Sequence, residues 1–311
     1  MSQIHLVMMT YNRLEYTKLS LPQLLRDTTE DFSLTLWDNG STDGTREYID
    51  AIDDRRIVEK VFSETNKGQA YVTNLVWQNT NADLVGKVDN DCLVTPGWTR
   101  ILTKAHEDIP QLGVVGCWHF FPEDFDYERA KHKIQSFNGH QIFRHPSIDG
   151  SALLMKRSLV EQLGPCGDNE YLSGYWRRLA LAGYINGFYY PLVYQEHMDD
   201  PLSEHCLIRD DADLARQREV TYSLRYHRQF AMADIWFLRQ EILRNLFDDP
   251  FDVKYYVGWR GRFRRWRWRL RRLKQKLWPG RVPVPKAFLD RTSPPTAGQE
   301  GSSQNRSGRP L

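Results

Sequence analysis

The stretch Lys87–Trp98 reads KVDNDCLVTPGW. Two aspartates stand one residue apart, after the apolar run Leu84–Val88 and before a Pro-Gly turn. A short apolar run bounded by turn residues reads as a buried strand, so Asp89 and Asp91 fall at its C-terminal end. A carboxylate withdrawn from water is costly unless it is paired, hydrogen-bonded or bound to a metal. The stretch therefore raises the question of what offsets the two charges.

The flanking sequence supplies an architecture. Ile4–Thr10, Ser33–Trp37, Ile57–Phe62 and Leu112–Gly116 are further strand candidates. Between them the pattern predicts helices over Leu14–Arg26 (capped by Asn12), from Thr42 or Asp43 to about Ile52, over Lys67–Asn79 and over Trp98–Asp108. Strands alternating with helices imply an α/β fold, a mostly parallel central sheet with flanking helices. Right-handed crossovers gather the loops after the strands on one edge, where such sheets bind ligands. Three polar loops meet there: Thr10–Arg13, Asp38–Thr45 and Asp89–Asp91. A carboxylate pair in that place suits a divalent cation held through oxygen. Such a cation would neutralise the phosphates of a nucleotide.

Further on, residues 119–145 are aromatic, rich in histidine and irregular, and are expected to loop over the sheet. Ile148–Met155 and Leu192–Gln195 read as strands. Lys156–Leu163, Tyr171–Ala182 and most of Asp211–Phe247 read as helices. From Pro283 the chain is rich in Pro, Gly and Ser, and a disordered tail is expected. The expected division is a catalytic domain over 1–205, a helical extension over 206–258, a basic amphipathic helix over 259–282 and a tail over 283–311.

Composition excludes some classes. The 311 residues are 41% hydrophobic and 13% aromatic, which suits a globular core and not a disordered chain. The four cysteines, Cys92, Cys117, Cys166 and Cys206, show no CxxC spacing and read as free thiols in a reducing compartment. No run approaches a membrane span, and the N-terminal apolar run is too short for a secretory signal. The expectation is a cytoplasmic protein, peripheral on the inner face of the cytoplasmic membrane if it meets a membrane at all.

Four motifs, MMTYNR (Met8–Arg13), WDNGSTDGT (Trp37–Thr45), ETNKGQAYVTN (Glu64–Asn74) and KVDNDCLVTPGW, occur in the order and spacing of the family 2 glycosyltransferases. The chain resembles that family from about residue 4 to 110. The resemblance implies the GT-A fold, a nucleotide-diphosphate sugar donor and inversion at the sugar carbon. It implies that Thr10, Tyr11 and Arg13 line the nucleotide pocket, that Asp38 reaches the base, and that Asn66 and Gly68 shape the donor loop. Asp89 would face the ribose or sugar, and Asp91 would hold Mn2+ or Mg2+, joined by His197 in VYQEHMDD. The acceptor would be a glycan or a lipid-linked glycan.

The second half departs from the family pattern. An acidic pair is expected at the start of the helix that ends in AGY, here Ala182–Tyr184, yet Tyr171 and Leu172 occupy those positions. The candidates for the catalytic base are then Asp168, Glu170 and Asp149, in that order. Two other readings stand beside the transferase: a sugar nucleotidyltransferase, and a degenerate sugar-binding domain at a membrane. The nucleotidyltransferase would need a glycine-rich phosphate loop after the first strand, and TYNRLEY contains no glycine.

Near the C-terminus, WRGRFRRWRWRLRRLKQKLW (Trp259–Trp278) places Trp259, Phe263, Trp266, Leu270, Leu273 and Leu277 on one helical stripe about 80° wide. Arg and Lys fill the remainder. The pattern fits an anionic membrane surface better than nucleic acid. The alternative reading is a helix packed on the catalytic domain with its basic face in water. On the first reading, removing 259–311 is expected to leave the catalytic domain folded.

Overall fold

The computed structural model describes residues 3–148, 150–167, 170–217 and 231–278. The apolar run Ile4–Thr10 (β1) lies at the heart of a nine-stranded sheet, hydrogen-bonded in parallel to Phe32–Asp38 (β2) and Leu84–Asp89 (β4). Ile57–Phe62 (β3) closes that side. The helices that cross between them are Leu14–Asp27 (α1), Thr45–Ala51 (α2) and Gln69–Gln78 (α3). After β4 come Cys92–Val94 (β5), Trp98–Asp108 (α4) and Leu112–Gly116 (β6). The next segment holds Tyr127–Ala130 (α5), Ile134–Phe137 (β7) and His140–Arg144 (β8). Leu153–Lys156 (β9), Ser158–Leu163 (α6), Leu172–Leu181 (α7), Ile185–Tyr190 (β10) and Gln195–His197 (β11) follow.

The sheet order is β3-β2-β1-β4-β9-β6-β10-β8-β7, and only β8 and β9 run against the other seven strands. Strand β9 enters between β4 and β6 as an antiparallel insertion. Gly86 permits this approach, since a Cβ there would lie 2.4 Å from the Leu153 carbonyl oxygen. Apolar side chains cover both faces. One face buries Leu6, Met8, Leu36 and Trp98, the other Val7, Trp77, Trp118 and Trp176. A sheet buried on both faces explains why its strands read as continuous apolar runs instead of alternating ones.

The region 119–145 is not the expected loop. Its second half is the β7–β8 hairpin, and β8 pairs with β10 to extend the sheet. The turn is Asn138-Gly139, with φ of 46° and 86°. Those left-handed values are what a two-residue primed turn needs and what Asn-Gly supplies. Asn12 does not cap α1 either: Arg13 occupies that position, and both residues are left-handed, with φ of 55° and 65°. The strand expected over Ile148–Met155 begins only at Leu153, and the one expected over Leu192–Gln195 runs instead from Gln195 to His197.

Among the described residues, two α-helices follow Asp211–Arg216 (α8): Met232–Asp248 (α9) and Gly258–Leu277 (α10). The long helix expected over Asp211–Phe247 is thus at least two elements, and residues 218–230 within it lie outside the described set. So does the tail expected from 283. Helix α10 packs on α9 through charge. Arg264 donates to Asp249 at 2.7 Å, Arg271 to Glu241 at 2.7 Å, and Arg272 pairs with Asp234. The pairing order shows that the two helices run antiparallel. Deleting α10 would take one arginine partner from each of Asp249, Glu241 and Asp234, a cost to set against the expectation that the catalytic domain stays folded without it.

Candidate functional site

The strand ends converge as the alternation predicted. Thr10 ends β1, Asp38 ends β2 and Asp89 ends β4, and the register pairs Thr10 with Asp38 and Met9 with Asp89. The two-stranded pairing of β5 with β11 brings in a distant segment. It sets His197 opposite Cys92, and the Met198 amide donates to the Asp91 carbonyl at 2.8 Å. His197 therefore reaches Asp91 from more than one hundred residues away in the chain.

Each carboxylate of the opening stretch has its own cation. Lys87 sits two residues before Asp89, on the same face of β4, and is buried. Its Nζ donates to both Asp89 oxygens, at 2.7 and 2.6 Å. Asp91 Oδ2 accepts from Arg13 at 2.9 Å and lies 3.5 Å from His197 Nε2. Arg13 also binds Asp199, at 2.5 Å. Burial alone would raise the Asp91 carboxyl, but His197 and Arg13 hold it well below the usual carboxylate range. Burial likewise opposes charge on His197, yet Asp91, with Asp199 and Asp200 beyond it, pushes the imidazole up to about 9.

The backbone at this edge is strained. Two successive non-glycine residues, Asn12 and Arg13, hold left-handed conformations that cost on the order of 1–3 kcal/mol each. The surroundings fix them: the Asn12 amide donates to Ser41 Oγ at 2.7 Å, and Asn12 Oδ1 accepts from the Thr42 amide at 2.8 Å. The strain aims Arg13 at Asp91 and Asp199. Three polar atoms here have no partner though buried: Arg13 Nε, Asp199 Oδ1 and Gln195 Oε1. Unspent donors and acceptors at a buried charge cluster suit a group that arrives from outside.

Asp38 is fully buried, and its oxygens are largely spent. Oδ1 accepts from the amides of Gly40 (3.1 Å) and Ser41 (3.0 Å), and Oδ2 accepts from Thr10 Oγ1 at 3.1 Å. In this arrangement it shapes the loop after β2, and a base reaches it only if that loop moves. Tyr11 is half-buried beside this loop, and Asn66 and Gly68 are exposed at the start of α3. Asn66 Oδ1 accepts from the Gly68 amide at 2.9 Å, and Gly68 has φ of 78°.

Among the candidate bases, Asp149 and Asp168 lie outside the described residues. The neighbours of Asp149 abut the site. Ser151 Oγ accepts from the Asp89 amide at 2.6 Å, and a Cβ on Gly150 would meet His119 Nδ1 at 2.8 Å. Glu170 accepts from the Gly167 amide at 3.1 Å and lies 3.6 Å from Arg178.

Asp199 and Arg239 escaped the sequence reading. Arg239 donates to Asp200 at 2.8 Å and pairs with Asp124, so it ties α9 to the segment after β11. The doubled Asp199-Asp200 after His197, an echo of the opening stretch, was the available signal.

Asp91, Cys92 and His197 present donor atoms within 4.8 Å of one another. A carboxylate and a neutral imidazole fit a borderline-hard divalent ion such as Mn2+, which on binding would replace the proton that Asp91 favours on His197. Burial pushes the Cys92 thiol well above its ordinary value, so it stays protonated and is a poor partner for such an ion. Two clefts, of about 510 Å3 beside Asp83 and His106 and about 460 Å3 beside Glu30 and Arg56, lie at the starts of the strands. That is the wrong edge for a ligand in a sheet of this kind.

A family model described as glycosyl transferase family 2 matches residues 5–164. A validoxylamine A glucosyltransferase of Streptomyces hygroscopicus subsp. jinggangensis is 29% identical over 161 residues, which cover 47% of this chain and 38% of that protein. An uncharacterized glycosyltransferase EpsJ of Bacillus subtilis is 23% identical over 176 residues, covering 57% and 47% respectively. The chain thus spans less than half the length of these two curated relatives. The crystal structure of S. aureus TarS 1-349 superposes with a TM-score of 0.50 over 81% of this chain and 82% of that one, at 12% identity, a likeness of fold.

Proposed function

The chain belongs to glycosyl transferase family 2, and from that premise we propose that it moves a sugar from a nucleotide-diphosphate sugar to an acceptor hydroxyl, with inversion. The observation that carries the reading is the cluster at the end of β4. Asp91 stands there between Arg13 and His197, beside the loop that Asp38 shapes. Thr10, Tyr11 and the Asp38–Thr45 loop form the nucleotide side, and Asn66 and Gly68 the rim. Asp89, fixed by Lys87, faces the ribose or sugar.

A divalent cation, Mn2+ or Mg2+, held by Asp91 and His197 would supply positive charge to the departing diphosphate. Arg13 and Lys67 add donors for the same charge. A carboxylate among Asp168, Glu170 and Asp149 takes the proton of the acceptor hydroxyl, whose oxygen attacks the anomeric carbon opposite the nucleotide. The attack forms one C–O bond as the bond to the diphosphate breaks, and a single displacement inverts the centre. The acceptor we favour is a glycan or a lipid-linked glycan.

Incubating the protein with a panel of nucleotide sugars, candidate glycan acceptors and Mn2+ tests this reading. Release of nucleoside diphosphate, dependent on acceptor and lost in Asp91→Asn, supports it. Donor binding without release under every pairing would point to a domain that binds sugar nucleotides and does not turn them over.

A further inference from the structure

Helix α10 is packed inside out. In a soluble protein, an amphipathic helix turns its apolar stripe to the core and its charges to water. Here the contacts with α9 and the turn before α10 are made by Gly261, Arg264, Trp268, Arg271 and Arg272, with Gln275 buried beside them and bonded to Arg272. At 100° per residue these side chains centre on the face opposite Trp259, Phe263, Trp266, Leu270, Leu273 and Leu277. Arg272 is buried over the Phe237 ring, and Trp268 packs against the same ring. A Cβ on Gly261 would meet the Tyr256 carbonyl oxygen at 2.2 Å, so only glycine fits where the first turn of α10 closes on the segment that leads into it.

The consequence is an outward apolar stripe. Its six residues are each between 38% and 67% exposed. From Trp259 to Leu277 the stripe runs about 27 Å. A contiguous apolar surface of that extent on a soluble protein marks an interaction site. Exposed cations border it on both sides: Arg267 and Lys274 along one edge, Arg262 and Arg269 along the other. The helix has no acidic residue.

We propose that this face of α10 docks on an anionic phospholipid bilayer, the stripe entering the headgroup–acyl boundary and the bordering cations resting on lipid phosphates. The arrangement of charge selects this occupant. Apolar residues in the middle with cations along both edges match a surface that is apolar at depth and negative at its boundary. A second copy of the helix would oppose cation to cation along both edges. Nucleic acid would meet leucines and no cation along the centre of the face. The clamp on α9 leaves the stripe free, so docking demands no unfolding of the helix pair. The inference does not rest on the transfer reaction and is tested without donor or acceptor.

The test is cosedimentation of the full chain with vesicles of phosphatidylglycerol and phosphatidylcholine, against phosphatidylcholine alone, with sedimentation velocity in the absence of lipid. The full chain should partition to the anionic vesicles. Trp266→Glu with Leu270→Glu, both at exposed positions, should lower partitioning on the order of a hundredfold. Arg262→Gln with Arg269→Gln should lower it roughly tenfold at low salt, and the difference should shrink as salt rises. Three results would overturn the proposal: no partitioning of the full chain to anionic vesicles, wild-type partitioning by the Trp266/Leu270 variant, or a lipid-free dimer that this variant abolishes. The last would assign the stripe to a second copy.

Discussion

Two arginine clusters organise the molecule, and they are built differently. In the α9–α10 clamp, Arg264, Arg271 and Arg272 meet Asp249, Glu241 and Asp234, so cations and carboxylates match in number and join two regular helices. At the end of β4, Arg13 is shared between Asp91 and Asp199 while His197 also leans on Asp91. That cluster rests on two strained residues and leaves Arg13 Nε, Asp199 Oδ1 and Gln195 Oε1 unpartnered. The clamp leaves one such atom, Arg272 Nε, and spends its other charges on holding elements together. The site keeps some of its bonding capacity unspent, as a place that exchanges partners must.

Substitutions can separate the two designs. Asp91→Asn preserves shape and removes one charge, and turnover should fall on the order of a hundredfold or more with little change in Tm. A wild-type rate would remove Asp91 from the chemistry. Glu241→Gln should do the reverse. It loosens Arg244 and Arg271 together, and denaturant titration should show a loss of about 1–3 kcal/mol. Its kcat/KM for a working donor should match wild type, and a parallel loss of activity would mean that the clamp and the site are not separable.

Histidines sharpen the same contrast on a smaller scale. His197 at the site is pushed up to about 9, whereas burial pulls His106 and His145 in the core down to about 3. The core histidines are neutral when folded and take up a proton near pH 6.5 when unfolded. Their contribution is therefore complete above pH 6.5 and declines as pH falls from 6.5 towards 3, by about 1.4 kcal/mol per pH unit for each. Replacing His106 with Gln should flatten this acid limb. A slope unchanged between the variant and wild type would show that His106 is protonated in the folded state.

Much of this was legible in the sequence, for physical reasons. The strands β1, β2 and β4 lie between neighbours and are buried along nearly their whole length, so each reads as a mostly apolar run ending in a polar residue, whereas β3 at the sheet edge carries Glu59 and Lys60. The hairpin at Ile134–Arg144 was missed although Asn138-Gly139 announced it, because the histidines and aromatics around it masked the alternation. Local pattern also cannot name a distant partner. Nothing near Cys92 indicates that β11 will pair with it, so Asp199 and its bond to Arg13 stayed out of sight. For α10 the stripe was plain, but its direction depends on α9. The acids Asp234, Glu241 and Asp249 recur there at intervals of seven and eight, matching the interval of seven between Arg264 and Arg271. That match was the available sign of a charged interface.

Calorimetric titration with uridine, guanosine and thymidine diphosphates, with and without Mn2+, bears on the reading of the β4 edge without requiring the acceptor. One of the three should bind the wild-type protein, and the ion should strengthen that binding at least about tenfold. Asp91→Asn should abolish the gain from Mn2+, and Asp38→Asn should weaken the nucleotide itself through the loop it shapes. If all three nucleotides bind no better with Mn2+ than without it, or if Asp91→Asn retains the full gain, then the cluster of Arg13, Asp91 and His197 is not the diphosphate site.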